Sequence, residues 1–388
     1  MRNRLEDTLV NASYNSLIRL YRILAEAALT HYDVGSARLA LLSYRRNTVF
    51  RVDASPRVAL STMADPEDES EDEPEFEDDN DPLEEIAKAS PYSQRGTRYV
   101  LRLCDLTGPS EEMIRSEAQW LLALRQGNET HNPVLTPLPV PEPVAGRDGS
   151  YVLRIQIEGV DLTCYCLLLR WMPGRLIDSG LSPTLFERVG IVQAHLHQQA
   201  QSFLPADNFV RPHQDWLQVL TSTITHISEK TRAHSRLLNV ADCHLLERAA
   251  ERASKEIAVL PGDSSHVGLI HGDFQQAHYL FDRGKVNAIG FDRCCYDYFL
   301  SDSAVTLQKV AKRDDASSLF AAYWRGYAHV LPIPERAAEG IETFSIAHIL
   351  QRLNTMAQVQ DFAMRDEFTR YLSSNRERLS RFVAASVQ

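Results

Sequence analysis

The sequence predicts a two-lobed α+β protein with a sheet-rich first part and a mainly helical second part. Several short alternating strands precede residue 172, whereas helical spacing dominates from Ser182 onward. The composition also changes from Ala54 to Arg95, which is rich in Asp, Glu, Pro and Ser. We therefore expect an N-terminal helix (1–34), a sheet lobe (35–172) with an acidic disordered insertion at about 54–95, and a helical lobe (173–388).

The charge of the chain is concentrated in that insertion. The 388 residues contain 41 Lys and Arg against 52 Asp and Glu, a formal net charge of −11, and 14 of the acidic residues lie between Asp65 and Glu85. The remainder is nearly neutral and has no basic cluster, which argues against nucleic-acid binding. We interpret the insertion as a solvated loop; the alternative is that it binds a basic partner or peptide.

Hydropathy predicts a cytoplasmic protein with no membrane contact. No apolar run approaches the roughly 20 residues of a membrane helix, and the charged N-terminus lacks a signal-peptide core. The six cysteines form no C-x-x-C pair, which indicates reduced thiols and no zinc site.

The residue pattern predicts individual elements in both parts. In the first part these are a helix at Thr8–Thr30, two strands within Leu39–Val52 around a turn at Ser43–Asn47, a strand at Arg98–Cys104, a helix at Ser110–Arg125, and strands at Tyr151–Ile157 and Cys164–Trp171. In the second part they are helices at Leu185–Gln199, Trp216–Thr231 and Cys243–Val259, several helices after Ser303, and one strand-turn-strand unit at Tyr279–Asp292.

One stretch, 269–292, is the most informative about chemistry. An apolar strand ends in His271-Gly272-Asp273, where the glycine permits an unusual backbone conformation. A carboxylate in such a loop can accept a hydroxyl proton or orient the hydroxyl toward a phosphoryl group. The triplet alone is a weak signal, because any turn can contain Gly-Asp.

Other segments accompany the triplet in a fixed order: S-Y-R-R-N, V-F-R-V, Y-V-L-R, I-R-S-E-A-Q-W-L, V-P-E-P-V, L-L-L-R-W-M-P-G-R, A-H-L-H, I-H-G-D-F and A-I-G-F-D-R. In this order they resemble the aminoglycoside phosphotransferase and choline kinase family, which shares the two-lobed protein-kinase fold. The resemblance is nearest to its bacterial homoserine-kinase-type and stress-response-kinase branch. It runs from about Leu39 to the C-terminus, without the acidic insertion.

The resemblance assigns roles to individual residues. It implies that Asp273 is the catalytic carboxylate and that His271 and Asp302 brace its loop. It also implies nucleotide binding by seven residues: Ser43 and Asn47 over the phosphates, in a turn without the usual glycines, Arg102 paired with Glu117 at the phosphates, and Leu169, Trp171 and Met172 in the hinge that receives adenine.

Two of these assignments also have a purely structural explanation. Strand alternation places Arg102 on an inward face, where it needs an anionic partner, but Arg102 and Glu117 are also compatible with a surface ion pair. Asp302 is also compatible with a helix cap ahead of Ser303.

Two departures from the family pattern affect the metal site. The family has a metal-binding Asn where this chain has His278, and a metal-binding Asp where it has Gly290. Magnesium prefers oxygen ligands, so both usual ligands are missing. If residues 290 and 292 lie on one strand, Asp292 points to the same side as Gly290 and replaces the ligand. A site made of His278 and Asp292 then favours manganese or zinc over magnesium. The alternative is a site that no longer holds metal.

Two functions therefore follow from the sequence. The first is an ATP-dependent phosphotransferase that moves the γ-phosphoryl group to a hydroxyl of a small molecule or peptide, with Mg²⁺ or Mn²⁺ as the metal. The alternative is a catalytically impaired pseudokinase that acts by binding a partner protein.

Overall fold

The structure is a computed structural model and describes residues 14–44, 47–55, 97–106, 108–126, 137–157, 163–177, 180–233, 238–358 and 362–385. Two compact units are present: Met1–Glu111 with Pro143–Trp171, and Glu112–Glu142 with Met172–Gln388. The predicted order, an antiparallel sheet followed by a mainly helical part, is confirmed. Apart from Ala54 and Ser55, the acidic insertion and its proposed basic partner lie outside the described residues.

The first unit is a six-stranded antiparallel sheet with one helix. Its elements are α1 (Tyr14–Leu29), β1 (Ala37–Tyr44), β2 (Thr48–Ala54), β3 (Arg98–Asp105), β4 (Pro143–Val144), β5 (Val152–Gln156) and β6 (Thr163–Arg170). The strand order is β1-β2-β3-β6, and both β4 and β5 pair with the other edge of β6. The sequence pattern does not predict β4, because two residues are too few to show the alternation of a strand.

Helix α1 packs on the sheet and forms one core with it. The buried side of α1 consists of Tyr21, Leu24, Ala25 and Ala28, at the spacing of one helical face. These residues belong to the same apolar cluster as Phe50, Leu101, Leu103, Ile155, Cys166 and Leu168 of the strands. The N-terminal helix is therefore an integral part of the sheet unit.

The second unit contains eight described helices and two small sheets. They are α2 (Glu111–Gln126, whose first residue belongs to the first unit), α3 (Pro183–Ser202), α4 (Trp216–Ala233), α5 (Val240–Ala258), α6 (Phe299–Val310), α7 (Ala316–Ala328), α8 (Ala337–Gln358), α9 (Phe362–Ala384), β7 (Val267–Ile270), β8 (Tyr279–Asp282), β9 (Lys285–Ala288) and β10 (Cys295–Tyr298). Strand β7 pairs with β10, and β8 with β9. Short 3₁₀ helices at Gln276–His278 and Phe291–Arg293 flank this second pair.

Helix α8 is the centre of the second unit. It contacts α4, α5, α6 and α9, and apolar residues are buried around most of its circumference. All six cysteines are free thiols. Among the helices that the structure describes, none combines the length and apolarity needed to cross a lipid bilayer.

Candidate active site

The His-Gly-Asp triplet leaves strand β7 in a conformation that requires glycine. Gly272 has φ +74°, and a Cβ at this position would lie 2.5 Å from the carbonyl oxygen of Arg293. Both the positive φ and this close approach exclude a larger residue without rearrangement. The glycine therefore directs the next residue, Asp273, away from the strand.

Asp302 binds the backbone of this loop from the first turn of α6. Its Oδ2 accepts a hydrogen bond from the His271 N–H at 3.3 Å, and its Oδ1 accepts one from the Gly272 N–H at 2.9 Å. The carboxylate is completely buried. Helix α6 begins at Phe299, so the interpretation of Asp302 as a cap ahead of Ser303 is wrong.

His271 bonds to both sides of the same loop. Its Nε2 lies 2.9 Å from the carbonyl oxygen of Ile289, and its Nδ1 lies 3.2 Å from the N–H of Asp273. These partners assign the proton to Nε2 and leave Nδ1 as the acceptor. Burial lowers the pKa of His271, which favours this neutral form.

The carboxylate of Asp273 remains partly open, with its side chain 19% exposed. Its Oδ1 accepts a hydrogen bond from Nε2 of Gln275 at 2.8 Å. The nearest charged or ionisable groups to Oδ2 are farther away: Nδ1 of His278 at 3.5 Å and Nε of Arg293 at 4.0 Å. Oδ2 therefore has capacity for another hydrogen-bond partner.

The turn after β9 does not have the strand geometry that we expected. Gly290 is left-handed, with φ +80°, and precedes the 3₁₀ turn Phe291–Arg293. The alternation argument that placed Asp292 on the same side as Gly290 is therefore wrong, because it applies only to an extended strand. The half-buried Asp292 uses its backbone oxygen to accept a hydrogen bond from Arg211.

The residues at this turn do not fit the magnesium site that the resemblance implies. Gly290 offers no side-chain ligand atom, and Nδ1 of His278 lies 2.6 Å from the carbonyl oxygen of Asp273, to which it donates. Within the described ranges, no three His, Cys, Asp or Glu side chains form a cluster that could hold a metal ion. The metal roles that we assigned to His278 and Asp292 remain predictions.

The expected nucleotide residues lie mostly in the first unit. Ser43 lies near the end of β1, beyond a bulge, and Asn47 in the turn before β2, while Arg45 and Arg46 lie outside the described residues. Leu169 pairs with Val100, and the N–H of Trp171 donates to Arg98.

The remaining three lie on different elements. Met172 is the first residue of the second unit after β6. Arg102 on β3 is 6% exposed and Glu117 on α2 is 1% exposed, so neither is a surface charge, and the surface-pair interpretation is wrong. Their pairing with each other stays a prediction.

Sequence reasoning missed the residues behind the loop. His197 of α3 lies 3.2 Å from Asp302, and the hydroxyl of Thr306 lies 2.6 Å from the carbonyl oxygen of Phe274, to which it donates, and 2.8 Å from the side-chain amide of Gln193. Gln193 and His197 are one turn apart on the buried side of α3, among apolar residues. Polar residues that recur on an apolar helix face were the available signal.

An antiparallel sheet unit, a helical unit and a His-Gly-Asp loop bound by a buried aspartate define the class of kinase-like phosphotransferases. The chain belongs to the phosphotransferase enzyme family, whose family model matches residues 89–339. This confirms the resemblance to aminoglycoside phosphotransferases that the motif order indicated.

A curated protein with a similar sequence illustrates the relationship. Amicoumacin kinase of Bacillus subtilis is 24% identical over 222 residues, which are 55% of this chain and 57% of that protein. The chain thus spans little more than half the length of this curated relative.

Two solved structures share the fold. An amicoumacin kinase in complex with AMP-PNP, Ca²⁺ and Ami has a TM-score of 0.67 at 15% identity, covering 95% of this chain and 96% of that one. A microcompartment-associated aminopropanol kinase has a TM-score of 0.70 at 19% identity, covering 94% and 98%.

Proposed function

We propose that the chain transfers the γ-phosphoryl group of ATP to a hydroxyl group of a small molecule, with Asp273 as the carboxylate that orients the hydroxyl. The observation that carries the proposal is the loop itself: a partly exposed carboxylate on a backbone bound by a buried aspartate and a buried neutral histidine. Positioning of this kind is the main contribution that a protein makes to phosphoryl transfer.

The transfer forms one bond and breaks one. The acceptor oxygen bonds to the γ-phosphorus, and the bond from that phosphorus to the β–γ bridging oxygen breaks. Its electron pair stays on the bridging oxygen, which leaves as part of ADP. The hydroxyl proton passes to Asp273, and Oδ2 is the favoured atom because Oδ1 already accepts a short hydrogen bond from Gln275.

The predicted sheet lobe (35–172) would hold the nucleotide in this proposal. Ser43 and Asn47 would lie over the phosphates, Arg102 would bind them with Glu117 as its partner, and Leu169, Trp171 and Met172 would receive adenine. The burial of Arg102 and Glu117 supports these roles, because a buried charge needs a compensating charge or ligand.

The names of the relatives support a small acceptor. Amicoumacin kinase and aminopropanol kinase are both named for small molecules, and aminopropanol is an amino alcohol. We propose amino alcohols as the first compounds to screen. The comparisons do not support the alternative of a non-catalytic pseudokinase.

The test combines an acceptor screen with one isosteric variant. The chain is incubated with ATP and a panel of amino alcohols, aminoglycosides and a Ser/Thr peptide, and ADP release is followed. Asp273→Asn should lower kcat by about 10²-fold or more and leave thermal unfolding unchanged. The matched control is Asp314→Asn, on an exposed loop.

Two outcomes would count against the proposal. Full turnover by Asp273→Asn would remove the assigned role of this carboxylate. Transfer to the peptide alone would contradict the small-molecule acceptor.

A further inference from the structure

His278 and Gly290, the two departures from the family pattern, are in direct contact. A Cβ at Gly290 would lie 2.6 Å from Cδ2 and 3.1 Å from Nε2 of His278. The imidazole ring therefore occupies the volume into which any side chain at position 290 would project. The two substitutions are sterically coupled, because this ring position requires a glycine opposite it.

The ring of His278 links the catalytic loop to the turn after β9. Its Nδ1 donates to the carbonyl oxygen of Asp273 at 2.6 Å. The backbone oxygen of His278 accepts a hydrogen bond from the N–H of Ile289 at 2.9 Å. The backbone N–H of His278 donates to the carbonyl oxygen of Gln275 at 2.7 Å. These contacts connect the two segments that carry metal ligands in the resemblance.

The charges near Asp273 also disfavour a bound cation. Position 290 supplies no carboxylate, and Arg293 lies with its Nε 4.0 Å from Oδ2 of Asp273. The turn that carries Arg293 is held by the buried Arg211, which donates to the carbonyl oxygens of Asp292 and Cys294. A guanidinium beside the Asp273 carboxylate reduces the attraction of this place for a divalent cation.

We propose that the His278–Gly290 contact replaces the metal ion in ordering the catalytic loop, so that nucleotide binding by this chain depends little on a divalent cation. Arg293 supplies positive charge next to Asp273 in place of the ion. This inference rests on the proposed function, because it concerns how the same site binds ATP.

The first experiment measures ATP binding by calorimetry in EDTA, in magnesium, in manganese and in zinc. The expected result is a dissociation constant for ATP that differs by less than about fivefold among the four conditions. This is smaller than the change in affinity that one ligand typically causes in another when their binding is coupled. Binding only with a metal would overturn the inference and leave the proposed function intact. Absence of binding under every condition would overturn both.

The second experiment changes both positions. Gly290→Asp alone should lower the Tm by about 3 °C or more, because the new side chain collides with the ring. His278→Asn combined with Gly290→Asp removes the collision, and aspartate tolerates the left-handed conformation better than most residues do. The double variant should therefore unfold at a higher temperature than Gly290→Asp and should bind ATP at least about fivefold more tightly with magnesium than with EDTA.

The matched control is His244→Asn, on an exposed face of α5, where the side chain is 70% exposed. Combined with Gly290→Asp, it should restore neither the Tm nor a magnesium dependence. If it restores the Tm as well as His278→Asn does, the steric coupling is contradicted. If the double variant binds ATP equally with magnesium and EDTA, the replacement of a metal by this contact is contradicted.

Discussion

Nε2 of His197 lies 3.2 Å from Oδ2 of Asp302, and both side chains are completely buried. The other ring nitrogen of His197 lies 2.8 Å from the hydroxyl of Tyr327, and the ring stacks on Phe299. Burial alone would raise the pKa of Asp302, but the hydrogen bond and charge of His197, the charge of His271 and the hydrogen bond from Gln193 together outweigh it and hold this pKa below its usual value. His197 therefore helps to keep ionised the carboxylate that binds the catalytic loop.

Replacing His197 should damage both stability and activity. His197→Leu leaves the buried carboxylate of Asp302 without this donor, which should lower the free energy of unfolding by about 3 kcal/mol. The kcat should fall as well, because Asp302 binds the backbone of His271 and Gly272. Urea denaturation and steady-state kinetics measure the two effects.

The control for this prediction is His195→Leu, two residues away on the same helix and only half-buried. It should have a clearly smaller effect on unfolding. Equal losses in the two variants would mean that the helix, and not the contact with Asp302, is sensitive to substitution.

The sequence could not indicate the role of His197 or its partner. The segment A-H-L-H, which contains this residue, is one of the landmarks of the resemblance, but the resemblance assigns it no role. The contact with Asp302 joins residues 105 positions apart and arises from the packing of α3 against the loop region, which local periodicity does not contain. The same holds for His278 and Gly290, whose contact depends on a left-handed turn where we expected a strand.

Longer elements were predictable because their periodicity extends over several turns or strand residues. The helices α3, α4 and α5 and the strands β3 and β6 lie close to where the pattern placed them. The four-residue strand β10 was missed, since it lies in a run of mixed residues after the 3₁₀ turn and exists through its pairing with β7.

The pH dependence of the free energy of unfolding should be controlled by two buried groups that Ser301 connects, Asp297 and His348. Ser301 donates to Asp297 at 2.6 Å and lies 3.1 Å from Nε2 of His348. Burial raises the pKa of Asp297 to about 7, against the hydrogen bonds from Ser301, Tyr298 and Trp216, and burial lowers the pKa of His348 to about 4. The two groups thus have opposite effects on stability.

The signs follow from proton binding in the two states. Above the usual carboxyl pKa of about 3.9, folded Asp297 holds more protons than the unfolded chain, so its contribution to stability falls as the pH rises to about 7. Below the usual histidine pKa of about 6.5, unfolded His348 holds more protons, so its contribution rises with pH from about 4 to that value. In the unchanged chain these slopes oppose each other.

Asp297→Asn should remove one of the two slopes. Between pH 5 and pH 8, the free energy of unfolding of this variant should increase relative to that of the unchanged chain by on the order of 2 kcal/mol. Urea denaturation at several pH values measures the difference, with Asp314→Asn as the exposed control. Parallel pH profiles for Asp297→Asn and the unchanged chain would show that Asp297 is ionised in the folded state already at pH 5.

The close packing of α3 against α7 depends on two glycines. A Cβ at Gly326 would overlap the carbonyl oxygen of Glu187, and one at Gly190 would overlap that of Tyr323. Gly326→Ala should therefore lower the free energy of unfolding by about 3 kcal/mol. Helix propensity alone predicts a gain of about 1 kcal/mol for this change, so the sign of the measured effect separates the two arguments.

Gly262 provides the control, because a Cβ there would have no neighbour within 4 Å. Gly262→Ala should change the free energy of unfolding by less than about 0.5 kcal/mol. Chemical denaturation of both variants is sufficient, and a stabilised Gly326→Ala would show that the two helices can move apart without loss.

Arg211 connects three backbone segments near the active site and should be irreplaceable even by lysine. Its Nε donates to Cys294 at 2.6 Å, and its two terminal nitrogens donate to Met113 at 3.0 Å and Asp292 at 2.9 Å. Only a guanidinium presents donors in three directions from one planar group. Arg211→Met would leave three carbonyl oxygens without these donors and should lower the free energy of unfolding by about 3 kcal/mol.

Arg211→Lys should recover only part of this loss, because a single ammonium group cannot reach all three oxygens in the same geometry. Both variants should also lower kcat, since Arg293 lies between two of the carbonyls that Arg211 binds and faces Asp273. Arg248→Met, on an exposed face of α5, is the control for the loss of a positive charge. If Arg211→Lys matches the unchanged chain in both unfolding and kcat, a single buried positive charge is sufficient and the three-way contact is not what positions Arg293.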